Sequence, residues 1–136
     1  MSAYVSTMID VISTKLGKIV RIAARGIQDD GRMAEIAYST MGNNDWEVRE
    51  FGECGEFVTC LATLENIIFA GTNLGNIYKS NDLGDTWGVI LSDVLDECSA
   101  MSTIPLTETI YASSGSKAIS SNDGGKTWID LGEMFN

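Results

Sequence analysis

The apolar residues of this chain fall into short alternating runs that are separated by turn residues. In the middle of the chain, two such runs cover residues 67–72 and 76–80, with Asn73-Leu74-Gly75 between them. Alternation over four to eight residues is typical of half-buried strands rather than helices. The pattern therefore predicts an all-β protein.

The pattern repeats. Three tryptophans stand 41 residues apart, and a serine precedes each of them by seven positions. The pairs are Ser39 and Trp46, Ser80 and Trp87, and Ser121 and Trp128. A period of this length indicates a solenoid, a propeller or an array, in which no unit buries its own core.

Each repeat contains four candidate strands. They are 8–12, 19–24, 35–39 and 46–49 in the first repeat, 57–61, 67–72, 76–80 and 87–91 in the second, and 99–103, 109–113, 117–121 and 128–131 in the third. Four short antiparallel strands make one propeller blade. We expect blades at 1–51, 52–92 and 93–136, all within a single domain because no linker composition separates them.

The turn before each of the last two tryptophans has the same residues. Residues 80–87 and 121–128 both fit the pattern Ser-x-Asp-x-Gly-x-Thr-Trp. This pattern resembles the Asp-box, or BNR repeat, of the β-propeller superfamily that includes sialidases, sortilin-like propellers and photosystem II stability factors. The resemblance implies a turn between the third and fourth strands of a blade, away from the ligand face. It does not imply one activity, because the family contains enzymes, receptors and assembly factors.

The chemistry of the motif predicts a structural role. Aspartate fixes a tight turn by accepting backbone hydrogen bonds, glycine supplies positive φ, and tryptophan buries a large apolar surface. The expected structural residues are Ser80, Asp82, Gly84, Thr86, Trp87, Ser121, Asp123, Gly125, Thr127 and Trp128, with Ser39 and Trp46 in the first copy. There, Met41, Asn43 and Asp45 replace the aspartate, glycine and threonine, so we expect a looser loop.

Three blades do not close a ring, since propellers typically have four to eight. Their two apolar flanks would stay open to solvent. Closed two-fold dimers are the commonest oligomers, so we expect a homodimer that forms one six-bladed ring. The alternative is an open wedge completed by a different protein.

In the resembling propellers, ligands meet the face formed by the fourth-to-first and second-to-third strand loops. The corresponding loops here are acidic and contain one basic residue. The candidate binding residues are Asp29, Asp30, Arg32, Glu53, Glu56, Asp93, Asp96 and Glu97. Such a face could steer a basic protein partner towards it. The alternative is an ordinary solvated loop surface.

The amino-acid composition argues against two classes of function, namely nucleic-acid binding and catalysis. The net charge of −10 argues against direct binding to nucleic acid. The absence of histidine excludes Ser-His-Asp and Cys-His catalysis, and the four arginines do not fit the arginine clamp of sialidases. We therefore expect no enzyme.

We also expect no metal and no cofactor. Asp93, Asp96 and Glu97 lack the spacing of a calcium loop, and the three cysteines lack CxxC spacing. Cys60 and Cys98 are expected to be buried and inert. Residues 1–5 do not resemble a signal peptide, and no apolar run approaches a membrane span, so we expect no membrane association and a cytoplasmic location.

These observations favour a non-catalytic propeller scaffold that docks a protein partner through its acidic loop face. One alternative is a glycan-binding, lectin-like module, which would need exposed aromatic residues in equivalent loops. The other is a small acidic viral or mobile-element inhibitor of a host nucleic-acid-binding machine, which would compete with DNA for a basic protein.

Overall fold

The fold comes from a computed structural model. It describes residues 6–13, 19–25, 31, 33–40, 46–92, 95–115 and 117–133, and for 6–13, 19–25, 40 and 133 the backbone alone. The strands of these ranges are β1 Ser6–Ser13, β2 Ile19–Arg25, β3 Ala34–Thr40, β4 Glu47–Phe51, β5 Val58–Leu64, β6 Ile67–Thr72, β7 Ile77–Ser80, β8 Gly88–Leu91, β9 Ala100–Ile104, β10 Thr109–Ser114, β11 Lys117–Ser121 and β12 Ile129–Glu133. A short 3-10 turn, Pro105–Thr107, precedes β10.

The strands form three antiparallel sheets of four strands each, which confirms the predicted all-β class. Within each sheet the strands are paired in chain order: β1 to β4, β5 to β8, and β9 to β12. We call these sheets blade one, blade two and blade three. Every strand expected from the sequence overlaps an observed one, and β6 and β11 have the expected bounds.

The first strands of the three sheets are neighbours. Between blades two and three, the Thr103 hydroxyl donates a hydrogen bond to the Thr63 carbonyl at 2.5 Å, and the Thr59 hydroxyl donates to the Cys98 carbonyl. Strand β1 likewise lies beside β5. The sheets therefore fan out from adjoining inner strands, as propeller blades do.

Blade two is buried on both faces. In β6, Ile68 and Ala70 face blade one, while Phe69 between them faces blade three. All three side chains are fully buried. Because successive strand residues point to opposite faces, this continuous apolar run serves two cores. We call the blade one–blade two contact the first interface and the blade two–blade three contact the second interface.

Antiparallel pairing divides the described connections of blades two and three between two ends of each blade. The turns from first to second strand and from third to fourth strand lie at one end, which we call the Asp-box end. The loops from second to third strand, and from each blade to the next, lie at the opposite end. Within the part of the chain that the structure describes, no helix is both long and apolar enough to cross a membrane.

Candidate functional site

The Asp-box turn of blade two is closed by its own side chains. Asp82 Oδ1 accepts hydrogen bonds from the Thr86 N–H and the Ser80 hydroxyl, both at 2.8 Å, and Oδ2 accepts from the Thr86 hydroxyl at 2.5 Å. The Gly84 N–H donates to Ser80 Oγ at 2.8 Å, and the Trp87 indole N–H donates to the Gly84 carbonyl at 2.9 Å. Gly84 takes a φ of 104°, which favours glycine.

Blade three repeats this turn. Asp123 Oδ1 accepts from the Thr127 N–H at 2.9 Å and from the Ser121 hydroxyl at 2.7 Å, and Oδ2 accepts from the Thr127 hydroxyl at 2.5 Å. The Gly125 N–H donates to Ser121 Oγ, and the Trp128 indole N–H donates to the Gly125 carbonyl. The two turns thus share one hydrogen-bond plan.

These bonds set the protonation of both aspartates. Hydrogen bonds from the Thr127 hydroxyl and N–H hold the pKa of Asp123 well below its ordinary value. At Asp82 burial raises the pKa, but hydrogen bonds from Thr86 and Ser80 outweigh burial and lower it. Both oxygens of each carboxylate accept hydrogen bonds from residues of the same turn. This arrangement is typical of an aspartate that stabilises a turn rather than one that binds a ligand.

The first copy of the motif differs at its tryptophan. Ser39 is buried, but Trp46 is 40% exposed, whereas Trp87 and Trp128 are half-buried. Residues 41–45, where we expect a looser loop, lie outside the described residues.

The opposite end of blades two and three is a continuous surface, formed by residues 52–57, 73–76, 95–99 and 115, which we call the loop face. The Asn73 N–H donates to the Phe57 carbonyl at 3.1 Å, and the Cys98 N–H donates to the Thr72 carbonyl at 3.0 Å. The Glu97 N–H donates to Ser114 Oγ at 3.2 Å. The bond between Cys98 and Thr72 joins the two blades, and the other two bonds hold the loops within blade two and within blade three.

Gly75 lies at a close contact between the two blades. Its φ is 79°, and a Cβ at this position would lie only 1.8 Å from the Leu95 carbonyl oxygen. Only glycine therefore lets the second-to-third strand loop of blade two rest on the incoming loop of blade three. The loop face is a joined surface rather than two separate loops.

Three candidate binding residues are exposed on the loop face: Glu53, Asp96 and Glu97. The described residues of this surface include no lysine or arginine. Asp29, Asp30, Arg32 and Asp93, which the sequence also suggests as binding residues, lie outside the described residues. The electrostatic character of the described surface is accordingly anionic.

Glu56 is not part of that exposed surface, contrary to the expectation from sequence. Its side chain is fully buried. Oε1 accepts from the Glu53 N–H at 2.9 Å and the Tyr78 hydroxyl at 3.0 Å, and Oε2 accepts from the Thr72 hydroxyl at 2.6 Å and the Asn76 amide at 2.9 Å. Burial, together with the hydrogen bond to Glu56, raises the pKa of Tyr78. Glu56 therefore stabilises the loop face through buried hydrogen bonds beneath it.

The sequence holds a signal that separates Glu56 from Glu97. Glu97 stands 41 residues after Glu56, at the same place in the repeat. At the same offset, however, Ile119 follows Tyr78 and Lys117 follows Asn76. The third repeat therefore lacks the tyrosine hydroxyl that donates to Glu56, and the ammonium of Lys117 pairs with Asp130 at 3.2 Å instead. Glu97 is exposed.

Arg49, one of the four arginines, is engaged at the rim of the first interface. Its guanidinium pairs with Asp85 Oδ1 at 2.6 Å, and the Tyr38 hydroxyl donates to the same oxygen at 3.1 Å. The hydrogen bond that the Arg49 guanidinium donates to Asp85 raises the pKa of Arg49. Among the described residues, no cluster of three or more histidine, cysteine, aspartate or glutamate side chains is arranged to hold a metal ion.

The face of blade three that points away from blade two is open. It carries a groove of about 360 Å³. The lining includes Ala100, Ser102, Tyr111, Ser113, Ala118 and Leu131. Tyr111 in the segment Ile110-Tyr111-Ala112 corresponds to Phe69 in the segment Ile68-Phe69-Ala70 of blade two. Tyr111 is 43% exposed, whereas Phe69 is fully buried. The difference arises because a neighbouring blade covers Phe69.

Comparison with known proteins identifies the fold. No protein-family profile matches the chain, and no curated protein sequence matches it. Solved structures do. The chain of YCF48 bound to a D1 peptide is similar at a TM-score of 0.67 and 14% identity, over 93% of this chain and 40% of that one.

Two further structures share the arrangement. A chain of the nidogen/laminin complex matches at a TM-score of 0.66 and 12% identity, over 97% of this chain and 52% of that one. The GH74 enzyme of Niastella koreensis matches at 0.57 and 18% identity, over 95% of this chain and 18% of that one. The chain thus spans about two fifths to one half of the first two proteins. At these identities the likeness concerns the fold alone: the three sheets are consecutive β-propeller blades.

Proposed function

We propose that this protein is a non-catalytic propeller scaffold that docks a basic protein partner on its loop face. The observation that carries the proposal is the exposure of Glu53, Asp96 and Glu97 on one joined surface whose described residues include no basic side chain. Two proteins of similar fold are seen with a peptide or protein partner: YCF48 with a D1 peptide and the nidogen/laminin complex.

The charge arrangement supports recognition of a basic segment. Complementary charge mainly raises the association rate and selects against partners of the wrong sign. The whole chain has a net charge of −10, so its long-range field also attracts cations. In this proposal Asp29, Asp30, Arg32 and Asp93 extend the same surface, and Glu56 holds its shape without touching the partner.

The test is capture of a partner from an extract of the native host by three matched proteins. The first is the wild type. The second carries Glu53→Gln, Asp96→Asn and Glu97→Gln. The third carries Glu50→Gln, Glu65→Gln and Glu108→Gln, which remove the same charge at exposed sites outside the loop face. We expect the wild type and the third protein to retain one basic partner and the second to lose it at least tenfold.

Equal losses in both variants would mean that net charge alone drives capture, and the loop face would then not be the docking site. Retention by the loop-face variant would also contradict the proposal. Quantitative binding of the recovered partner, measured at two salt concentrations, separates steering from short-range contact because screening weakens only the former strongly.

We propose further that a second copy of the chain covers the open face of blade three and completes a six-bladed ring. The support is the exposure of Tyr111, Ile129 and Leu131 on that face, at 43%, 55% and 49%. In blade two, the residue that matches Tyr111 is covered by the following blade. Closed rings bury such flanks, and open ones leave them in water.

Sedimentation of the purified chain tests ring closure. We expect a particle of twice the 14.7 kDa chain mass at micromolar concentration. Leu131→Asp should give a monomer, while Val89→Asp, at an exposed site on blade two, should not. A wild-type monomer would contradict the dimer and favour closure by a different protein.

A further inference from the structure

Two buried thiols meet beneath the loop face. Cys60 lies on β5, the inner strand of blade two, and Cys98 lies just before β9, the inner strand of blade three. Their Sγ atoms are 3.3 Å apart, and the two residues are 8% and 0% exposed. The third cysteine, Cys54, is exposed and not part of this pair.

The surrounding backbone keeps both sulfur atoms in place. Gly71 of β6 faces them, and a Cβ there would lie 2.4 Å from Cys98 Sγ and 2.6 Å from Cys60 Sγ. Any other residue at position 71 would thus push the sulfur atoms away. The backbone of Cys98 is fixed to blade two from both sides, since its N–H donates to the Thr72 carbonyl at 3.0 Å and its carbonyl accepts from the Thr59 hydroxyl.

We propose that Cys60 and Cys98 form a reversible disulfide that locks blade two to blade three when the protein meets a peroxide or a small-molecule disulfide. The pair is close enough that a modest approach of the two sulfur atoms makes the bond, whose sulfur separation is about 2.05 Å. This inference does not depend on the docking function, because it concerns the interface between the blades.

The chemistry assigns different roles to the two thiols. The hydrogen bond from Cys98 lowers the pKa of Cys60, while that same hydrogen bond and burial raise the pKa of Cys98. Cys60 is therefore the attacking sulfur, since the thiolate is the nucleophile.

With hydrogen peroxide, the Cys60 thiolate attacks one oxygen, the O–O bond breaks, and Cys60 becomes a sulfenic acid as hydroxide leaves. The Cys98 sulfur then attacks Cys60 Sγ. The hydroxyl group leaves with the Cys98 proton as water. In total, two thiols and one peroxide give one disulfide and two waters, so the thiols are oxidised by two electrons and the peroxide is reduced.

The bond would stiffen the part of the molecule that bears the acidic loop. Asp96 and Glu97 directly precede Cys98 in the chain. A disulfide at Cys98 fixes the end of their loop to blade two. It also closes residues 60–98 into a loop, which restricts the unfolded chain.

The experiment uses a Cys54→Ser protein, because that exposed position can be changed without disturbing the core. Native protein is treated with hydrogen peroxide or with oxidised glutathione, and then alkylated and measured by intact mass and peptide mapping. We expect loss of two hydrogens, a Cys60–Cys98 cross-linked peptide, and reversal by a thiol reductant. We also expect Tm to rise by about 10 °C on oxidation, in line with closure of a loop of this length.

The Cys54→Ser, Cys98→Ser protein serves as the control and should show neither the cross-link nor the rise in Tm. If that variant does not fold, the mass and alkylation results on Cys54→Ser alone still decide the matter. Free thiols at both positions after treatment, a mixed disulfide with glutathione as the end product, or a cross-link that forms only in denaturant would each overturn the proposal.

Discussion

The two blade interfaces are built from the same repeat but filled with different chemistry. The first interface contains a cluster of aromatic rings: Phe51 packs against Tyr78 at 4.6 Å between ring centroids and stacks on Trp87 at 5.0 Å with 19° between the planes. The second interface is mainly aliphatic around Phe69, and it contains the Cys60–Cys98 pair.

The two interfaces share the Asp-box turn and its tryptophan, but they differ in the side chains against which that tryptophan packs. Trp87 and Trp128 make the same indole hydrogen bond to their turns. Yet Trp87 packs on an aromatic ring of blade one, whereas Trp128 packs in the mainly aliphatic core of the second interface. The Asp-box turn thus positions a tryptophan at each interface, and the neighbouring blade determines which side chains pack against it.

The largest expected effect is in the second interface. Phe69→Ala removes a fully buried ring and leaves a cavity between blades two and three, so we expect a loss of about 3–5 kcal/mol in the free energy of unfolding. Val89→Ala, at a site that is 56% exposed, should change it by less than about 0.5 kcal/mol. Urea denaturation measures both, and similar losses would contradict the assignment of Phe69 to a core.

A smaller loss in the free energy of unfolding is expected for a substitution of Glu56, the buried carboxylate beneath the loop face. Glu56→Gln replaces an acceptor oxygen by an amide nitrogen, which cannot accept from Thr72 and Asn76. We expect a loss of about 1–3 kcal/mol because a buried donor is left without a partner. Glu97→Gln, 41 residues later and exposed, is the matched control and should cost little. Equal costs would show that Glu56 is not held as described.

The stacking of Phe51 and Trp87 should give a measurable coupling energy. A double-mutant cycle with Phe51→Leu and Trp87→Leu isolates the ring–ring interaction from the loss of apolar area. We expect a coupling of about 0.5–1.5 kcal/mol. The same cycle with Trp128→Leu in place of Trp87→Leu should give none, since Trp128 belongs to the other interface. Equal coupling in the two cycles would remove the distinction between the interfaces.

The pH dependence of stability should sharpen the comparison further. Hydrogen bonds from Thr127 keep the pKa of Asp123 low in the folded protein, whereas in the unfolded chain an aspartate takes up its proton near pH 4. The contribution of Asp123 is therefore complete above about pH 5 and is lost as pH falls from there towards the lowered folded value.

Asp123→Ala should accordingly be less stable than the wild type at pH 7, and the difference should shrink below about pH 4. Lys126→Ala, which changes an exposed side chain of the same turn, should differ from the wild type by an amount that is nearly independent of pH in this range. Urea denaturation at pH 7 and pH 3.5 provides the comparison. A constant difference for Asp123→Ala would mean that its hydrogen bonds do not form.

The strands and turns were predictable from sequence because they depend on local chemistry that recurs. Alternation fixed the strands, and Gly84 and Gly125 marked the tight corners at equal places in two repeats. The contrast between Glu56 and Glu97 was not predicted, because it depends on distant partners such as Tyr78. The Cys60–Cys98 pair was also missed: the two residues are 38 positions apart, and their approach follows from the packing of the inner strands of blades two and three side by side.

Acidic residues of the loop face also differ in exposure, since two residues at the same position of the repeat need not be equally exposed to solvent. Glu53, Asp96 and Glu97 offer their carboxylates to solvent, while Glu56 offers its carboxylate to the interior. Recognition of a partner is therefore expected to depend on which acidic residues the fold leaves exposed, and not on the number of acidic residues in the loops.

The most direct test of the docking account is hydrogen exchange of the protein, alone and with the captured partner bound. We predict slower exchange in residues 52–57, 73–76 and 95–99 upon binding, and unchanged exchange in the Asp-box turns at 81–87 and 122–128. Protection at the Asp-box turns with no change at the loop face would contradict the account.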